Sequence, residues 1–87
     1  MKDPIYTFRI MIEKDGKGYH GFVPTLKGVH TCGHTIEETK RNLDDAISCH
    51  IEGLLKDGET VPREEDSFEF VRSFVARKSS LTPVSNA

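Results

Sequence analysis

The chain has 87 residues, enough for one small domain but not for two. Its 12 basic and 14 acidic side chains leave a net charge of −2, which argues against a protein that binds nucleic acid mainly through a basic surface. The opening MKDPIYTFRI lacks the apolar run of a signal peptide, and no later run approaches the length of a membrane span, so we expect a cytoplasmic protein. Cys32 and Cys49 are then expected as reduced thiols, buried as small hydrophobic side chains rather than joined in a disulfide.

Three strands are predicted in the first third of the chain. Residues 5–13 alternate in polarity, and residues 19–24 return after Asp15 and Gly16, a dipeptide that favours a tight hairpin turn. After a second connection, residues 29–33 make the third strand. One side of the first strand carries Tyr6, Phe8, Ile10 and Ile12, and the other side is also partly apolar.

One long helix is predicted between Gly33 and Gly58. Thr35 stands at the N-cap with Glu38 three residues later, which fits a capping box in which each side chain accepts a backbone N–H. Gly58 is placed for the left-handed residue that ends a helix. The apolar stripe of this helix, spaced by three and four residues, consists of Ile36, Thr39, Leu43, Ala46, Ile47, His50, Ile51, Leu54 and Leu55.

A fourth strand is predicted over residues 68–75, followed by a disordered tail over residues 77–87 that is rich in Ser, Thr and Pro. A right-handed crossover through the helix would set this strand parallel to the first and beside it. The prediction is therefore an α+β domain over residues 1–76, with element order β-β-β-α-β, strand order 3-2-1-4, and the helix on one face of the sheet.

The run from residue 19 to residue 62 contains an ordered series of motif residues: Tyr19, Phe22, Val23, Pro24, Leu26 and Gly28, then Gly33, Thr35, Glu37 and Glu38, and finally Gly53, Leu54, Leu55, Lys56, Asp57, Gly58, Glu59 and Pro62. This run resembles the HicB-like antitoxin family. No single piece of it is distinctive, but the ordered combination is fairly specific, and with residues 12–15 it covers about three-quarters of the chain. His34 departs from the family pattern, which commonly has Asp there.

The resemblance implies a partial ribonuclease-H-like sheet, in agreement with the topology above. It also implies binding and neutralisation of a HicA-type toxin, a small mRNA-cleaving protein with a double-stranded-RNA-binding-like fold. The residues themselves assemble no catalytic or phosphate-binding group, so we expect a non-enzymatic protein without a cofactor. Many family members carry a C-terminal DNA-binding module. Only about a dozen residues follow the fourth strand here, so we expect no such module and no DNA binding through one.

Four residues raise the alternative of a metal site. His30, Cys32 and His34 alternate on the third strand, and His20 lies on its neighbour. Residues two apart along a strand are separated by about 7 Å, which is wide for ligands of one zinc ion, and no known ligand spacing is present. Ordinary strand residues are therefore the favoured interpretation. The competing hypothesis is an orphan HicB-like scaffold that binds a small ligand or metal between subunits through these four side chains.

No catalytic residues are predicted. A two-metal nuclease gathers several carboxylates on neighbouring strands, whereas the strand acids here are only Glu13 and Glu69. The acidic run over residues 64–66 falls in a loop and is interpreted as a solvated surface. His50 lies on the helix stripe without an oriented acid or nucleophile that would make it a catalytic base.

The residues nominated for contact with the toxin surround the second hairpin: Tyr19, Phe22, Pro24 and Leu26. The competing interpretation is that Phe22 and Leu26 fill the core between helix and sheet. Self-association as a dimer or tetramer is also expected, because a small domain gains apolar burial from it. The surface predicted for it is an edge strand or the sheet face with Ile5, Thr7 and Met11.

Overall fold

The computed structural model describes residues 3–64 and 68–84, which form an α+β fold as predicted. The first three strands make an antiparallel sheet in the order β1-β2-β3, and the helix covers one face of it. The last two strands pair with each other as a separate hairpin. The elements are β1 (Met11–Asp15), β2 (Gly18–Phe22), β3 (His30–Gly33), α1 (Ile36–Lys56), β4 (Phe74–Arg77) and β5 (Ser80–Pro83).

The turn between β1 and β2 is built on Gly16, whose φ of +62° lies in the left-handed region. A glycine at the first central position of a two-residue turn matches the natural twist of the two strands. The pairing runs from Asp15 opposite Gly18 to Met11 opposite Phe22 and stops there. β1 is therefore shorter than predicted. Residues 5–10 lie beyond the end of β2 and have no strand beside them there.

The core lies between the sheet and α1. Residues 23–29, which connect β2 to β3, fold inward and supply three of its four members. The core is flanked by Phe8, Ile10 and Ile12, which share one side of the predicted first strand, and by Ala46 and Ile47 of the helix. The buried cluster consists of Val23, Leu26, Val29 and Leu43.

Two glycines allow the helix to approach the sheet closely. A Cβ on Gly21 would come within 2.7 Å of the Leu43 side chain, and one on Gly33 would come within 2.9 Å of the Thr39 backbone nitrogen. Thr39 is fully buried beside these glycines, and its hydroxyl donates to the Thr35 carbonyl at 2.8 Å. Because Gly21 and Gly33 have no side chains, the helix can pack directly on the sheet at these two positions.

Both predicted helix ends are present. Thr35 Oγ1 accepts from the Glu38 backbone N–H at 3.0 Å, so that half of the capping box is confirmed. The Glu38 carboxylate is instead placed 3.5 Å from His34 Nδ1. At the other end Gly58 has φ +70° and donates to the Leu55 carbonyl, and the next residue donates to Leu54, which makes a Schellman motif.

The helix is longer than the sheet that it covers. Its 21 residues span roughly 31 Å, whereas strands of four or five residues span roughly 13–17 Å. The middle of the predicted apolar stripe is buried at Thr39 and Leu43. The ends of the stripe are not covered, since Ile36 is 48% and Leu55 is 54% exposed.

The predicted position of the fourth strand, parallel to and beside β1, is wrong. β4 begins at Phe74 and pairs with β5 across a two-residue turn, and residues 68–73 belong to no strand. A local hairpin closes a very short loop, whereas pairing with β1 requires the chain to return across the whole helix, so the hairpin forms at a lower entropic cost. The ribonuclease-H-like order 3-2-1-4 is therefore not observed within one chain.

Residues 68–84 are called the C-terminal arm below, and residues 3–64 the body. The arm includes much of the predicted disordered tail, and residues 80–83 form its second strand. The division into a domain over 1–76 and a tail over 77–87 stays a prediction, and residues 85–87 lie outside the described residues. An ion pair of 3.6 Å between Arg9 Nη1 and Glu69 Oε1 attaches the start of the arm to the body.

Cys32 and Cys49 are both free thiols, as predicted, but the expectation that they are buried is wrong. Cys32 is exposed on β3 and Cys49 is exposed on α1. Cys49 lies outside the apolar stripe of the helix, whose half-buried members near it are Ala46, Ile47, His50 and Ile51. Within the described residues, no helix is long and apolar enough to cross a membrane.

Candidate partner-binding surface

One face of the three-stranded sheet carries no helix. Gly21 and Gly33 face α1, so the residues next to them in each strand face the opposite way. Cross-strand pairs place His20 opposite both Glu13 and Cys32, and Phe22 opposite both Met11 and His30. We call this surface the open sheet face. It consists of Met11, Glu13, His20, Phe22, His30 and Cys32.

The centre of the open sheet face is a group of three rings. The His20 ring stacks on Phe22 with centroids 5.9 Å apart, and it lies 5.7 Å from the His30 ring at a tilted angle. Beside them the loop between β2 and β3 borders a shallow hollow of about 560 Å³, with Pro24 and Lys27 on its rim. Half-exposed aromatic groups next to a hollow are the kind of surface that anchors a protein partner.

The four residues nominated for toxin contact are separated by the structure. Phe22 is half-buried on the open sheet face, and Pro24 is exposed in the adjoining loop. Tyr19 lies on the helix side of β2, opposite Gly33. Leu26 is 1% exposed and belongs to the core, in line with the competing interpretation for that residue, while Phe22 is outside the core cluster. A contact role for these residues stays a prediction.

The four candidate metal ligands are also divided. His20, His30 and Cys32 share the open sheet face, and His34 lies beyond the end of β3 with its side chain 91% exposed. Among residues 3–64 and 68–84, no group of three or more His, Cys, Asp or Glu side chains is arranged to hold a metal ion. The rings of His20 and His30 lie 5.7 Å apart, and Cys32 stands opposite His20 across the two strands.

Glu64, at the C-terminal end of the body, forms a polar cluster that the sequence did not reveal. Its Oε1 accepts from Thr25 Oγ1 at 2.6 Å and from the Arg9 backbone N–H at 3.1 Å, and its Oε2 accepts from Arg9 Nε at 2.9 Å. Nearby, the Arg63 guanidinium lies 5.9 Å from the centre of the Tyr6 ring. These contacts hold the segment after the helix against the N-terminal segment.

The same hydrogen bonds alter the acidity of Glu64. Donation from Thr25, followed by that from the Arg9 backbone, lowers the pKa of the Glu64 carboxyl from 4.5 to about 2. The interpretation of the acidic run as a solvated surface is therefore wrong for Glu64, whose side chain is only 17% exposed. The other two residues of that run, at positions 65 and 66, lie outside the described residues.

Sequence reasoning could have found part of the open sheet face. Once the hairpins are placed, the alternation of β2 and β3 puts His20, Phe22 and His30 on one side. Sequence reasoning could not decide whether this side of the sheet faces the helix or stays open. The contacts of Gly21 and Gly33 with α1, which settle the question, are visible only in the structure. The Glu64 cluster left no sequence signal, since its partners Arg9 and Thr25 are 55 and 39 residues away.

The chain is similar in sequence to several known proteins. A UPF0150 protein of Synechocystis is 44% identical over 63 residues, covering 70% of this chain and 78% of that protein. A UPF0150 protein of Thermoplasma acidophilum is 40% identical over 58 residues, covering 66% of this chain and 84% of the relative. A protein from the rep-hol intergenic region of Haemophilus phage HP1 is 38% identical over 64 residues, which are 74% of this chain but 48% of the phage protein. No solved structure matches the chain.

The model of the HicB-like antitoxin of bacterial toxin–antitoxin systems matches residues 8–76. This range contains all of the three-stranded sheet, the whole helix and the first part of the arm. The resemblance noted in the hairpin and helix motifs is thereby confirmed, and the chain belongs to the HicB-like antitoxin family.

Proposed function

We propose that this chain is an antitoxin that binds and neutralises a HicA-type mRNA-cleaving toxin, and that it does so without catalysis. The observation that carries the proposal is the open sheet face, which combines the ring group of His20, Phe22 and His30 with an adjoining hollow. A sheet covered on one side only leaves such a face available to a partner, and membership of the antitoxin family supports a toxin as that partner.

The chemistry of the open sheet face fits protein recognition better than catalysis. Protein interfaces are enriched in aromatic side chains, and the residues that contribute most to affinity cluster at the centre of the contact. Phe22 supplies such an anchor, and the imidazoles of His20 and His30 supply hydrogen-bonding groups beside it. The described residues hold no cluster of carboxylates and imidazoles that could bind a catalytic metal.

The charge of the body suits a basic partner. Residues 3–64 contain eleven acidic and eight basic side chains. A toxin that binds RNA carries a basic surface, and opposite charge on the two proteins accelerates their encounter more than it raises their affinity. We therefore expect association to slow as the salt concentration rises, while the complex itself persists.

The test is co-expression with the product of the neighbouring gene, scored as bacterial growth and as recovery of a complex. The wild-type chain is expected to restore growth and to co-purify with the toxin. Phe22→Asp puts a charge at the centre of the open sheet face and is expected to reduce the surviving fraction at least 100-fold. Leu55→Asp is the matched control, because Leu55 is half-exposed at the far end of the helix.

Circular dichroism of both variants establishes that they fold before growth is scored. Growth rescue by folded Phe22→Asp equal to that of the wild type would show that the toxin binds elsewhere. A wild-type chain that neither rescues growth nor binds the toxin would refute the proposed function.

The second hypothesis is an orphan scaffold that binds a small ligand or metal between subunits. Of its four candidate ligands, His20, His30 and Cys32 share the open sheet face of one chain. Two imidazoles from each of two copies could complete a four-ligand site. Stoichiometric zinc in protein purified without chelators, lost in His20→Ala, is the result that would favour it. No geometric feature of the described residues favours it over toxin binding.

A further inference from the structure

The C-terminal arm exposes most of the large apolar side chains on the surface of the described chain. Seven of the ten exposed large hydrophobic residues lie in it, although it holds 17 of the 79 described residues. Phe68 and Phe70 are each 81% exposed and Val71 is 84% exposed. The other four are Phe74, Val75, Leu81 and Val84. Such a concentration of apolar surface on a soluble protein marks an interaction site.

The arm extends away from the body. The radius of gyration of the Cα atoms is 17.5 Å and the longest dimension is 56 Å, whereas a compact domain of this length has a radius of gyration of about 12 Å. Among the described elements, β4 and β5 pack only on each other. The hairpin is therefore held to the body through the start of the arm alone, and a two-stranded hairpin without a covering layer is only marginally stable.

Both edges of the body's sheet, β1 and β3, lack a paired strand among the described residues. β1 is an edge strand, and no described strand pairs with its outer side. The opposite edge, β3, is partly covered, because the Asn42 side chain donates to the Cys32 carbonyl at 2.8 Å. An uncovered edge presents backbone donors and acceptors that favour the addition of another strand.

The arm and the uncovered edge match in length and charge. The six residues 68–73 reach roughly 20 Å when extended, and the five residues of β1 span roughly 17 Å. In the arm three basic side chains, Arg72, Arg77 and Lys78, stand against the single acid Glu69, whereas acids exceed bases in the body. The arm of one molecule is thus complementary in charge to the body of another.

We propose that a second copy of this chain covers the arm, and that the two copies exchange arms so that residues 68–73 of each pair with β1 of the other. The three phenylalanines of one arm expose about 400 Å² at ~200 Å² per ring, which is about half of the ~800 Å² that each partner buries in a standard interface. The exposed valines and leucine of the arm supply further area. The exchanged strand occupies the position beside β1 that the sequence predicted for the fourth strand of the same chain.

The experiment is sedimentation equilibrium of the full chain at micromolar to hundred-micromolar concentration, combined with hydrogen–deuterium exchange. The wild type is expected to be a dimer in which the amides of residues 11–15 exchange at least 10-fold more slowly than in the double variant Phe68→Ser, Phe70→Ser. That variant is expected to be a folded monomer, because neither ring contributes to the core of the body. Leu55→Ser is the control, since it removes an exposed apolar side chain from the helix and should leave the dimer intact.

Three results would overturn the proposal. One is a wild-type monomer over the whole concentration range, and another is a dimer that persists in the double variant. The third is a dimer that dissociates in the double variant with no change of exchange in residues 11–15, which would remove β1 as the site of docking. Because both measurements use this chain alone, their outcome does not bear on the toxin-binding proposal. Failure of toxin binding would likewise not contradict the arm exchange.

Discussion

The body and the C-terminal arm of this protein are built from similar residues but are stabilised in different ways. In the body, Leu26 and Leu43 are 1% and 0% exposed, and the helix is seated on the sheet by Gly21 and Gly33. In the arm, Phe68 and Phe70 are each 81% exposed. The difference teaches that apolar alternation alone does not bury a strand. A strand also needs a neighbouring surface, and among the described elements β4 and β5 pack only on each other.

The largest difference between the two regions should appear on truncation of one apolar side chain in each. Leu43→Ala leaves a cavity at the centre of the core and is expected to lower the free energy of unfolding by about 2–5 kcal/mol. Phe70→Ala, measured at a concentration where the chain is monomeric, is expected to change it by less than about 0.5 kcal/mol. Urea denaturation followed by circular dichroism measures both values. Equal losses in the two variants would contradict the assignment of Phe70 to an unsupported arm.

The close approach of helix and sheet gives the next effect. In Gly33→Ala the new methyl group would meet the Thr39 backbone nitrogen at 2.9 Å, and backbone cannot move aside as a flexible side chain can. We expect a loss of about 1–3 kcal/mol in the free energy of unfolding. Gly53→Ala is the control, because a methyl group at Gly53 meets nothing within 4 Å. It is expected to stabilise the helix by up to about 1 kcal/mol, and a destabilised Gly53→Ala would contradict this view of the helix surface.

The helix cap gives a smaller effect within the body. Thr35→Ala removes the hydroxyl that accepts from the Glu38 N–H, and we expect a loss of about 1 kcal/mol. Thr35→Ser keeps that acceptor and serves as the control. Thermal unfolding of the two variants under identical conditions separates the hydrogen bond from the rest of the side chain. A Thr35→Ser variant as unstable as Thr35→Ala would show that the hydroxyl is not what stabilises this helix end.

The smallest effect concerns the boundary between the regions, and it depends on pH. The pKa of Glu64 is lowered to about 2 from an ordinary 4.5, so the folded state binds this proton more weakly than the unfolded state. The stabilisation is therefore fully present above pH 4.5 and is lost as the pH falls toward 2. Glu64→Gln should lower the melting temperature at pH 7 and flatten its decline between pH 4.5 and 2. Glu52→Gln, on the exposed helix surface, is the control and should keep the decline of the wild type.

The parts of the structure that depend on neighbouring residues were predictable from the sequence. Thr35 and Gly58 define the helix ends through hydrogen bonds to residues at most five positions away. Asp15 and Gly16 define the first hairpin turn, which depends only on the residues within it. The absence of a described strand beside β1 was not predictable, because pairing there depends on contacts between residues 68–73 and a distant part of the chain. The Glu64 cluster was not predictable for the same reason, since Arg9 lies 55 residues away along the chain.

The candidate site was predictable only in part. Phe22 and Pro24 were nominated from the second hairpin and lie at the surface, whereas Leu26 lies in the core and Tyr19 on the helix side. Alternation along β2 orders residues into two sides, but only the docked helix decides which side stays open. His20 and His30 were considered as metal ligands and are better described as neighbours of Phe22 on the open sheet face.

The central claim is that a toxin docks on the open sheet face. The most direct measurement is an NMR titration of isotope-labelled protein with a catalytically inactive HicA-type toxin. The largest shift changes are expected at His20, Phe22 and His30, with little change along the outer surface of the helix around Asp44 and Asp45. Changes concentrated on that helix surface, with the three rings unaffected, would contradict the claim.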